Sequence, residues 1–300
     1  MKIYYGGKKM FEGIFTSLIT PFDEKNKVDL ERLNNLLFYL NDKVHGFFIL
    51  GTYGSTALLC EDEKKEIIKH VLKKSSSKKV IVHAGESNPD TSVKLAQFAQ
   101  SQGADAVAFV PPYFYGYSEE EVILYFQKIL REITIPVFVY LNPPRVGYNL
   151  SVQCIHQLAE IGIYGIKDTT NNLNYFYDLS TNVDLEKFNY LSGSEMYLNP
   201  TMFHGGKGAI SAMSNVFPEY VVNVYDSLKN RNMESYKESM KYLFAYRKIR
   251  KVGQGIPVVH AMLNLKGIDV GYPRFPFKYD EGLVNKVSEL IKCLRSNQID

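Results

Sequence analysis

The sequence predicts a (β/α)8 barrel, the TIM barrel, with a helical extension at its C-terminal end. Short apolar runs recur eight times in the first two thirds of the chain, and polar, helix-compatible stretches separate most of them. The runs are mostly apolar and do not alternate with polar residues, as is typical of strands of a parallel sheet when both of their faces are buried. Eight such units in about 220 residues match the size expected of this barrel.

The candidate strands are short and often β-branched. In order they are GIFTSLIT (13–20), GFFILGT (46–52), KVIVHAG (79–85), DAVAFVPP (105–112), IPVFVYLN (135–142), YGIKDT (164–169), NYLSGS (189–194) and GAISAMSN (208–215). A doubly wound sheet would alternate strands and helices in the same way. Against it, no GxGxxG motif follows the first run, which ends in Thr20-Pro21-Phe22. The barrel is therefore the favoured architecture.

Helix starts are marked by residues that cap helix N-termini. The expected caps between the strands are Asp29, Asp62, Asp90 and Ser118. After Phe217-Pro218 the strand signals stop, and the remainder predicts helices over roughly 219–230, 233–251, 256–266 and 281–296. Since no linker-like stretch separates the two parts, we expect one structural domain, with a barrel over 1–217 and a helical extension over 218–300 packed on it.

Composition and charge bound the class of partner. The chain has 300 residues, 45% of them hydrophobic and 22% charged, which is typical of a globular protein with a sizeable core. The formal net charge is only +3, and basic residues occur in scattered pairs such as Lys64-Lys65, with acids nearby. Tyrosines and phenylalanines are spread over the whole length without interleaved Arg or Lys, so they indicate core and pocket use rather than base stacking. We expect no nucleic-acid partner.

Cysteine usage and hydropathy predict a cytoplasmic protein. Cys60, Cys154 and Cys293 are far apart and odd in number, which favours neither a disulfide framework nor a zinc site. The longest uncharged run, 44–60, is too short and too polar to span a membrane. The N-terminal MKIYYGGKKM lacks the apolar segment of a signal peptide. We expect no membrane partner.

Lys167 is the first candidate for chemistry. In a (β/α)8 barrel, function lies where the strands end, and Lys167 follows the apolar residues 163–166. Such a strand would carry the ammonium group into the barrel mouth, where desolvation lowers its pKa. A neutral amine in that position is the nucleophile that forms a Schiff base with a carbonyl substrate. The alternative is a lysine that reaches solvent or pairs with Asp168.

Two further strand ends carry candidate groups. Tyr140 would relay protons if it lies within reach of the reacting oxygen, and the turn that follows it would present Arg145 over the mouth. The turn 51–55 is small and hydroxyl-bearing, so Thr52 and nearby backbone N–H groups would bind a carboxylate. The plainer alternatives are a packed aromatic for Tyr140 and an ordinary strand-to-helix turn for 51–55.

Metal and phosphate motifs find little support. The six histidines show no HxH or HExxH spacing, and no dense acidic cluster accompanies them. His83 ends a candidate strand and is the histidine of most interest, with a core or surface role as the alternative. No P-loop and no GxSxG motif is present.

Five motifs, taken in order, carry a family resemblance. They are LITPFDEKNKVD (18–29), GTYGS (51–55), PPYFY (111–115), YLNPPRVG (140–147) and GIKDTT (165–170). The chain resembles the N-acetylneuraminate lyase and dihydrodipicolinate synthase family of class I, Schiff-base-forming, pyruvate-dependent aldolases. The resemblance extends from about Phe11 to the GYPRFP segment (271–276).

The resemblance implies a role for each matching residue. Lys167 would form the Schiff base, and Tyr140 would relay protons and assist carbon–carbon cleavage. The residues that it implies around the substrate are Thr52 and Tyr53 at the pyruvate carboxylate, Gly193 and Ile210 in the pocket lining, and Thr169 at the hydroxyl tail. It also implies that no metal or organic cofactor takes part, and that the enzyme is a homotetramer built from dimers.

Some positions depart from the synthase pattern. Ser55 stands where the family's GTTGE motif has a glutamate, and Tyr53 replaces its second threonine. Phe114 falls where synthases have the aromatic hydroxyl that a neighbouring subunit contributes to the proton relay. Tyr113 or Tyr115 would replace it only with a shift of register. These departures count against a role in lysine biosynthesis.

Other segments resemble archaeal-type 2-keto-3-deoxygluconate aldolases of the non-phosphorylating Entner–Doudoroff route. These segments are KDTTNN after the lysine, LSGSEM (191–196) and DVGYPRFPF (269–277). Arg145 and Arg250 fall near the cationic groups of members that accept a phosphate. Arg250 would equally be a surface arginine, and synthases use an arginine at the place of Arg145 for a carboxylate, so the phosphate preference stays open.

The sequence therefore predicts a class I aldolase that cleaves 2-keto-3-deoxy sugar acids, such as 2-keto-3-deoxygluconate or its 6-phosphate, to pyruvate and glyceraldehyde or its phosphate. Within the family the alternatives are a dihydrodipicolinate synthase and an N-acetylneuraminate lyase. An alternative of another class is a non-catalytic regulator that binds a keto acid, which the altered GTTGE motif suggests.

Overall fold

Eight parallel strands close into a barrel in chain order in the computed structural model, which describes residues 11–75 and 77–296. The strands are β1 (Gly13–Ser17), β2 (Gly46–Ile49), β3 (Lys79–His83), β4 (Ala106–Phe109), β5 (Val137–Leu141), β6 (Gly165–Asp168), β7 (Asn189–Ser192) and β8 (Gly208–Ser211). Each lies within the run that predicts it and is shorter than that run, because the residues that follow leave the sheet to form loops. The predicted TIM barrel is confirmed.

Helices follow the strands and continue after the last one. They are α1 (Leu30–Leu40), α2 (Glu61–Lys74), α3 (Pro89–Ser101), α4 (Glu119–Glu132), α5 (Pro143–Val146), α6 (Val152–Glu160), α7 (Leu173–Asn182), α8 (Leu198–Phe203), α9 (Pro218–Lys229), α10 (Met233–Ile249), α11 (Gly255–Leu265) and α12 (Glu281–Ser296). The four predicted C-terminal helices correspond to α9–α12 within two residues at each end. None of the described helices is both long and apolar enough to cross a membrane.

Two of the four predicted helix caps are confirmed. The Asp29 carboxylate accepts a hydrogen bond from the backbone N–H of Arg32 at 3.0 Å. Ser118 caps α4 in a reciprocal arrangement with Glu121, whose carboxylate accepts from the Ser118 N–H at 2.7 Å. These caps satisfy N–H groups that have no partner within the helix.

The other two caps were predicted too far along the chain. Asp62 lies inside α2, which begins after Cys60, where the Glu63 carboxylate accepts from the Cys60 N–H at 2.9 Å. Asp90 lies inside α3, because the Asn88 side chain accepts from the Asp90 N–H at 2.9 Å and so caps the helix itself. Both aspartates occupy the first helical turn, where a negative charge is favourable without capping.

The chain divides into two compact units. Within the described residues, the first unit comprises 11–15, 45–49 and 77–211, and the second comprises 16–44, 50–75 and 212–296. The expected division at 217/218 separates the barrel from the helical extension along the chain, whereas these units group residues by compactness. That division stays a prediction. Residues 1–10, interpreted above as lacking a signal-peptide segment, lie outside the described residues.

The first unit contains a cluster of buried rings at the N-terminal ends of the strands. We call Phe11, Phe15, Phe138 and Tyr164 the aromatic floor. The Phe11 ring lies 5.9, 5.3 and 5.8 Å from the rings of Phe15, Phe138 and Tyr164. A Cβ atom on Gly46 would lie 2.4 Å from the Phe15 ring, so glycine there gives the ring its space. Aromatic side chains therefore fill this end of the barrel.

The second unit is held by polar contacts around one buried asparagine and by helix packing. The Asn215 side chain donates to the carbonyl of Ser17 at 2.8 Å and accepts from the N–H of Ile19 at 3.3 Å. The rings of Phe217 and Tyr246 stack with centroids 4.0 Å apart. Asn215 thus fixes the chain that leaves β1 against the turn before α9.

Candidate active site

Lys167 lies on β6 with its side chain inside the barrel. Its register partner on β5 is Tyr140, and only 3% of Lys167 is exposed. Its Nζ atom lies 3.9 Å from the centroid of the Phe48 ring and 3.8 Å from that of the Tyr140 ring. Burial lowers the pKa of Lys167 well below its usual value, because an ammonium group withdrawn from water is disfavoured. The structure therefore does not support the alternative of a lysine that reaches solvent.

Asp168 faces the other side of β6, as the alternation of a strand requires. Its carboxylate accepts a hydrogen bond from the Tyr190 hydroxyl at 2.8 Å and one from the Thr170 N–H at 2.7 Å. Burial raises the pKa of Asp168, and these two donors act in the opposite direction. Burial and the nearby carboxylate together raise the pKa of Tyr190. Asp168 therefore anchors the end of the strand that carries Lys167.

Tyr140 contributes a buried hydroxyl beside the amine. The Asn142 side chain donates to this hydroxyl at 2.9 Å. The Tyr140 ring is nearly perpendicular to the rings of Phe48 and His83, with centroids 5.6 Å away in both cases. Since the hydroxyl oxygen accepts from Asn142, its own proton is directed elsewhere. The phenol is thus held in one orientation next to Lys167.

The ends of β6, β7 and β8 bring three predicted residues together. The Thr169 N–H donates to the carbonyl of Leu141, and the Gly193 N–H donates to the carbonyl of Asp168 at 2.6 Å. Ile210 is buried in the same apolar cluster as Tyr140. The Thr169 Oγ1 atom is buried and has no hydrogen-bond partner among the residues that the structure describes. A buried hydroxyl of this kind is available to a ligand.

Sequence reasoning missed two residues of this region. Glu195, just after β7, is buried and accepts a hydrogen bond from the Ser211 hydroxyl at 2.7 Å. Its signal was an acid within LSGSEM, directly after a strand end. Phe48, which contacts the Lys167 amine, adjoins Phe47 in the sequence, and pattern alone does not tell which of the two faces the interior.

Thr52 and Tyr53 lie in the loop after β2, which belongs to the second unit. The Ser55 N–H donates to the carbonyl of Thr52 at 3.1 Å, and Ser55 has a left-handed φ of 59°. The Thr20 hydroxyl donates to the carbonyl of Gly54 at 2.8 Å. These contacts fold residues 51–55 into a tight turn, as the sequence predicts. Its part in carboxylate binding stays a prediction.

The arginines and the PPYFY segment lie nearer the surface. Arg145 is exposed on the one-turn helix α5, and Arg250 is half-buried at the end of α10. Phe114 is 84% exposed and has a positive φ of 84°. The Tyr113 hydroxyl donates to the Glu86 carboxylate at 3.4 Å. The Phe114 ring therefore points to the surface and brings no hydroxyl to the interior.

Metal-ligating groups are sparse in the described part of the chain. Across residues 11–75 and 77–296, no three His, Cys, Asp or Glu side chains come together as a metal site. Cys60, Cys154 and Cys293 are free thiols.

Class I aldolases bind their keto substrate through a lysine, and the surroundings of Lys167 are those that such a lysine requires. Comparison with known families agrees with this class, because the dihydrodipicolinate synthetase family matches residues 10–293. The chain belongs to that family. It is an enzyme of the pyruvate-dependent, class I aldolase type.

Individual relatives cover nearly the whole chain. The 4-hydroxy-tetrahydrodipicolinate synthase of Archaeoglobus fulgidus is 31% identical over 287 residues, which are 95% of this chain and 99% of that protein. The dihydrodipicolinate synthase structure from Aquifex aeolicus is 27% identical with a TM-score of 0.88, covering 96% of this chain and 98% of that one. YagE, an E. coli K12 prophage protein of the dihydrodipicolinic acid synthase family solved in complex with pyruvate, is 26% identical with a TM-score of 0.91, covering 96% and 99%.

Proposed function

We propose that Lys167 forms a Schiff base with the C2 carbonyl of pyruvate. The observation that carries this proposal is the buried amine between Phe48 and Tyr140, whose lowered pKa favours the neutral, nucleophilic form. Family membership supports pyruvate as the keto acid, and so does the pyruvate complex of the relative YagE.

In the proposed reaction the iminium ion is the electron sink. The amine adds to C2, a proton moves from nitrogen to oxygen, and the carbinolamine hydroxyl takes a second proton from the acid–base residue and leaves as water. When a longer 2-keto acid is cleaved, its C4 hydroxyl gives a proton back to the acid–base residue as the electron pair of the C3–C4 bond flows to the iminium, which releases an aldehyde and leaves an enamine of pyruvate. A proton then adds to C3, and water frees pyruvate and the lysine. Condensation follows the same steps in reverse. Because the iminium accepts the electron pair in cleavage and the enamine returns it in condensation, the proposed reaction uses neither a metal nor an organic cofactor.

Tyr140 is the residue to which we assign the proton transfers. Its ring lies against the Lys167 amine, and Asn142 holds its hydroxyl. A positioned proton-transfer group typically contributes about 10²–10⁴-fold to a rate. The Tyr140 hydroxyl would serve both water loss from the carbinolamine and the proton exchange at C3.

The remaining site residues are assigned by the family resemblance. We assign the pyruvate carboxylate to Thr52 and Tyr53, and the lining of the pocket to Gly193 and Ile210. Thr169 would bind a hydroxyl group of the substrate, and its unpartnered buried oxygen supports this role. Arg145 would meet the distal anionic group of the substrate from its exposed position.

The names of the relatives favour one aldehyde. Two relatives that are 31% identical over 95% and 89% of this chain are called 4-hydroxy-tetrahydrodipicolinate synthase, and this activity was an alternative from the sequence. In that case the enamine of pyruvate condenses with aspartate semialdehyde. This candidate has the support of the comparisons.

Particular residues favour a second aldehyde, the glyceraldehyde produced from 2-keto-3-deoxygluconate. The buried Thr169 hydroxyl, which follows the outward-facing Asp168, suits a substrate tail that carries hydroxyl groups. Phe114 has no hydroxyl to offer, unlike the synthase residue at its place. No relative named above supports this substrate, so it depends on these side chains alone.

Borohydride reduction in the presence of pyruvate tests the core of the proposal. Intact-mass and peptide analysis should find one reduced pyruvyl group, located on Lys167 and absent from the Lys167→Met variant. Lys79→Met is the matched control, because Lys79 also lies on a barrel strand beside a ring, that of Phe11, at the other end. Absence of the adduct in the wild-type protein would contradict the proposal.

A panel of aldehydes then separates the candidates. The protein is incubated with pyruvate and either aspartate semialdehyde, glyceraldehyde, glyceraldehyde 3-phosphate or N-acetylmannosamine, and the products are identified by mass spectrometry. A trapped lysine that is inert toward every aldehyde would favour the keto-acid-binding regulator. The cytoplasmic location and the homotetramer are also carried forward as proposals, and light scattering tests the second.

A further inference from the structure

His83 is a buried side chain that the proposed reaction leaves without a role. It is the last residue of β3 and is only 3% exposed. Its ring centroid lies 5.6 Å from that of Tyr140 with an interplanar angle of 89°, and 6.3 Å from that of Phe48. These are distances of edge-to-face ring packing. His83 therefore belongs to the group of rings around the Lys167 amine.

A small residue on the intervening strand permits this contact. β4 lies between β3 and β5, and Ala108 is the register partner of His83 on it. The alanine methyl group leaves space in the interior, where small and large side chains must alternate to fill the barrel. The imidazole from β3 thus meets the phenol from β5 across β4.

The Tyr140 ring is held by contacts on several sides. Phe48 and His83 each meet it nearly at right angles, and the Lys167 amine lies over it. The Asn142 amide holds the hydroxyl end. Replacing the imidazole by a non-planar side chain would remove one of the two perpendicular rings and leave the tilt of the phenol less restricted.

We propose, on the basis of the function proposed above, that His83 is a positioning residue for Tyr140. Its ring fixes the tilt of the phenol so that the hydroxyl meets C3 of the pyruvyl group on Lys167. The planar shape of the imidazole carries this role, rather than its nitrogen atoms. A displacement of about 1 Å in a reacting group costs about 100-fold in rate, so a buried side chain that only packs can still control kcat.

The test uses pyruvate alone and therefore does not depend on the aldehyde. The methyl hydrogens of pyruvate exchange with deuterium oxide through the enamine, and proton NMR measures the rate. We expect His83→Leu to reduce the kcat of exchange about 10- to 100-fold with the KM for pyruvate changed less than about threefold. His83→Phe should restore exchange to within about threefold of the wild-type rate, because it keeps a planar ring. His204→Leu is the control, since His204 meets the Phe176 ring at a similar angle on the outer helices.

Several outcomes would overturn the role of His83. Exchange at the wild-type rate in His83→Leu would show that the ring positions nothing. A His83→Phe variant as slow as His83→Leu, or a His83→Gln variant as fast as the wild type, would assign the effect to a nitrogen atom. Both of these substitutions also test the inference if the leucine variant does not fold.

Borohydride trapping separates this inference from the function on which it rests. Complete trapping of pyruvate on Lys167 is expected at the end point in the wild type and in every His83 variant. A wild-type protein that traps no pyruvate contradicts the proposed function. A wild-type protein that traps pyruvate, with exchange unchanged in His83→Leu, contradicts only the role of His83.

Discussion

The Lys167 amine lies 3.8 Å from the centre of the Tyr140 ring, and the two residues are register partners on adjacent strands. One contact therefore has two effects. The ring helps to exclude water from the amine, which favours its neutral form, and it brings a phenol next to the atom that would attack a carbonyl. Because strand pairing sets this distance, the amine and phenol are together before any substrate binds.

Removing the buried amine should stabilise the protein. Since folding lowers the pKa of Lys167, this amine holds fewer protons in the folded state than in the unfolded chain at a pH between its two pKa values, and in that window it makes the free energy of unfolding rise with pH. Lys167→Met removes this cost. We expect the variant to be more stable than the wild type at pH 7, and the difference to narrow as the pH rises from the folded-state pKa of Lys167 towards its unfolded-state value of about 10.4.

Urea unfolding of both proteins between pH 7 and pH 9 would measure this difference. Lys241→Met is the control, because Lys241 is exposed on α10 and its substitution should change stability little at any pH. A Lys167→Met variant that is less stable than the wild type at pH 7 would show that the amine is charged and favourably held in the folded protein.

Tyr140→Phe should slow proton transfer without abolishing the adduct. The ring that covers the amine remains, but the hydroxyl that accepts from Asn142 is lost. We expect deuterium exchange into pyruvate to fall about 10²–10⁴-fold, with a loss of stability of about 1 kcal/mol. Tyr164→Phe, in the aromatic floor, is the matched control and should exchange at the wild-type rate. Equal rates in the two variants would remove Tyr140 from the mechanism.

Tyr190→Phe should destabilise the protein in a pH-dependent way. The variant deprives the buried Asp168 carboxylate of a donor, which costs about 1.5–3 kcal/mol for a hydrogen bond to a charged group. This bond favours the ionised form, so the pKa of Asp168 rises further in the variant, and the cost should shrink as the pH falls and the carboxyl becomes protonated.

Chemical denaturation at pH 7.5 and at pH 4.5 compares the two conditions. Tyr125→Phe serves as the control, since the Tyr125 hydroxyl donates to a neutral partner, Ser92, at 3.2 Å. Its smaller cost, about 0.5–1.5 kcal/mol, should not change with pH. An equal cost for Tyr190→Phe at both pH values would mean that Asp168 keeps one protonation state over this range.

Gly193→Ala should disturb the strand end next to Lys167. A Cβ atom there would lie 2.6 Å from the carbonyl oxygen of Asp168 and 2.8 Å from a methyl carbon of Thr169. Such overpacking costs about 1–3 kcal/mol, and it should also slow trapping of pyruvate. Gly116→Ala has no atom within 4 Å and should be neutral in thermal melts and in trapping. A Gly193→Ala variant that melts with the wild type would show that the strand end yields easily.

The sequence predicts this fold well, because strands buried on both faces are mostly apolar, and eight of them separated by helix-compatible stretches match the size of the barrel. Where the strands end is harder to predict. Residues such as Thr20 and Asn142 follow the strands in apolar surroundings but have left the ladder. The first residue of a helix is also hard to predict. An aspartate such as Asp62 or Asp90 is favourable anywhere in the first helical turn, so its presence does not show which residue is the cap.

Residues of the candidate site can be predicted from the sequence when their type is unusual for their position. Lysine in an apolar strand is rare, and so Lys167 is conspicuous in the sequence. Phe48 and Glu195 are not, because their roles depend on which strand residues face the interior and on how neighbouring loops fold. His83 can be noticed in the sequence, but its contact with Tyr140 depends on the alanine at position 108 of the strand between them.

The aromatic floor closes the barrel on the side away from the Lys167 amine. A molecule attached to this lysine can therefore leave in one direction only. In the proposed reaction the pyruvyl group is bonded to the lysine, and the aldehyde lies farther out. The aldehyde must depart before pyruvate in cleavage, and pyruvate must enter before the aldehyde in condensation. The covalent bond to Lys167 sets this order, and the four buried rings leave pyruvate and the aldehyde to share one exit.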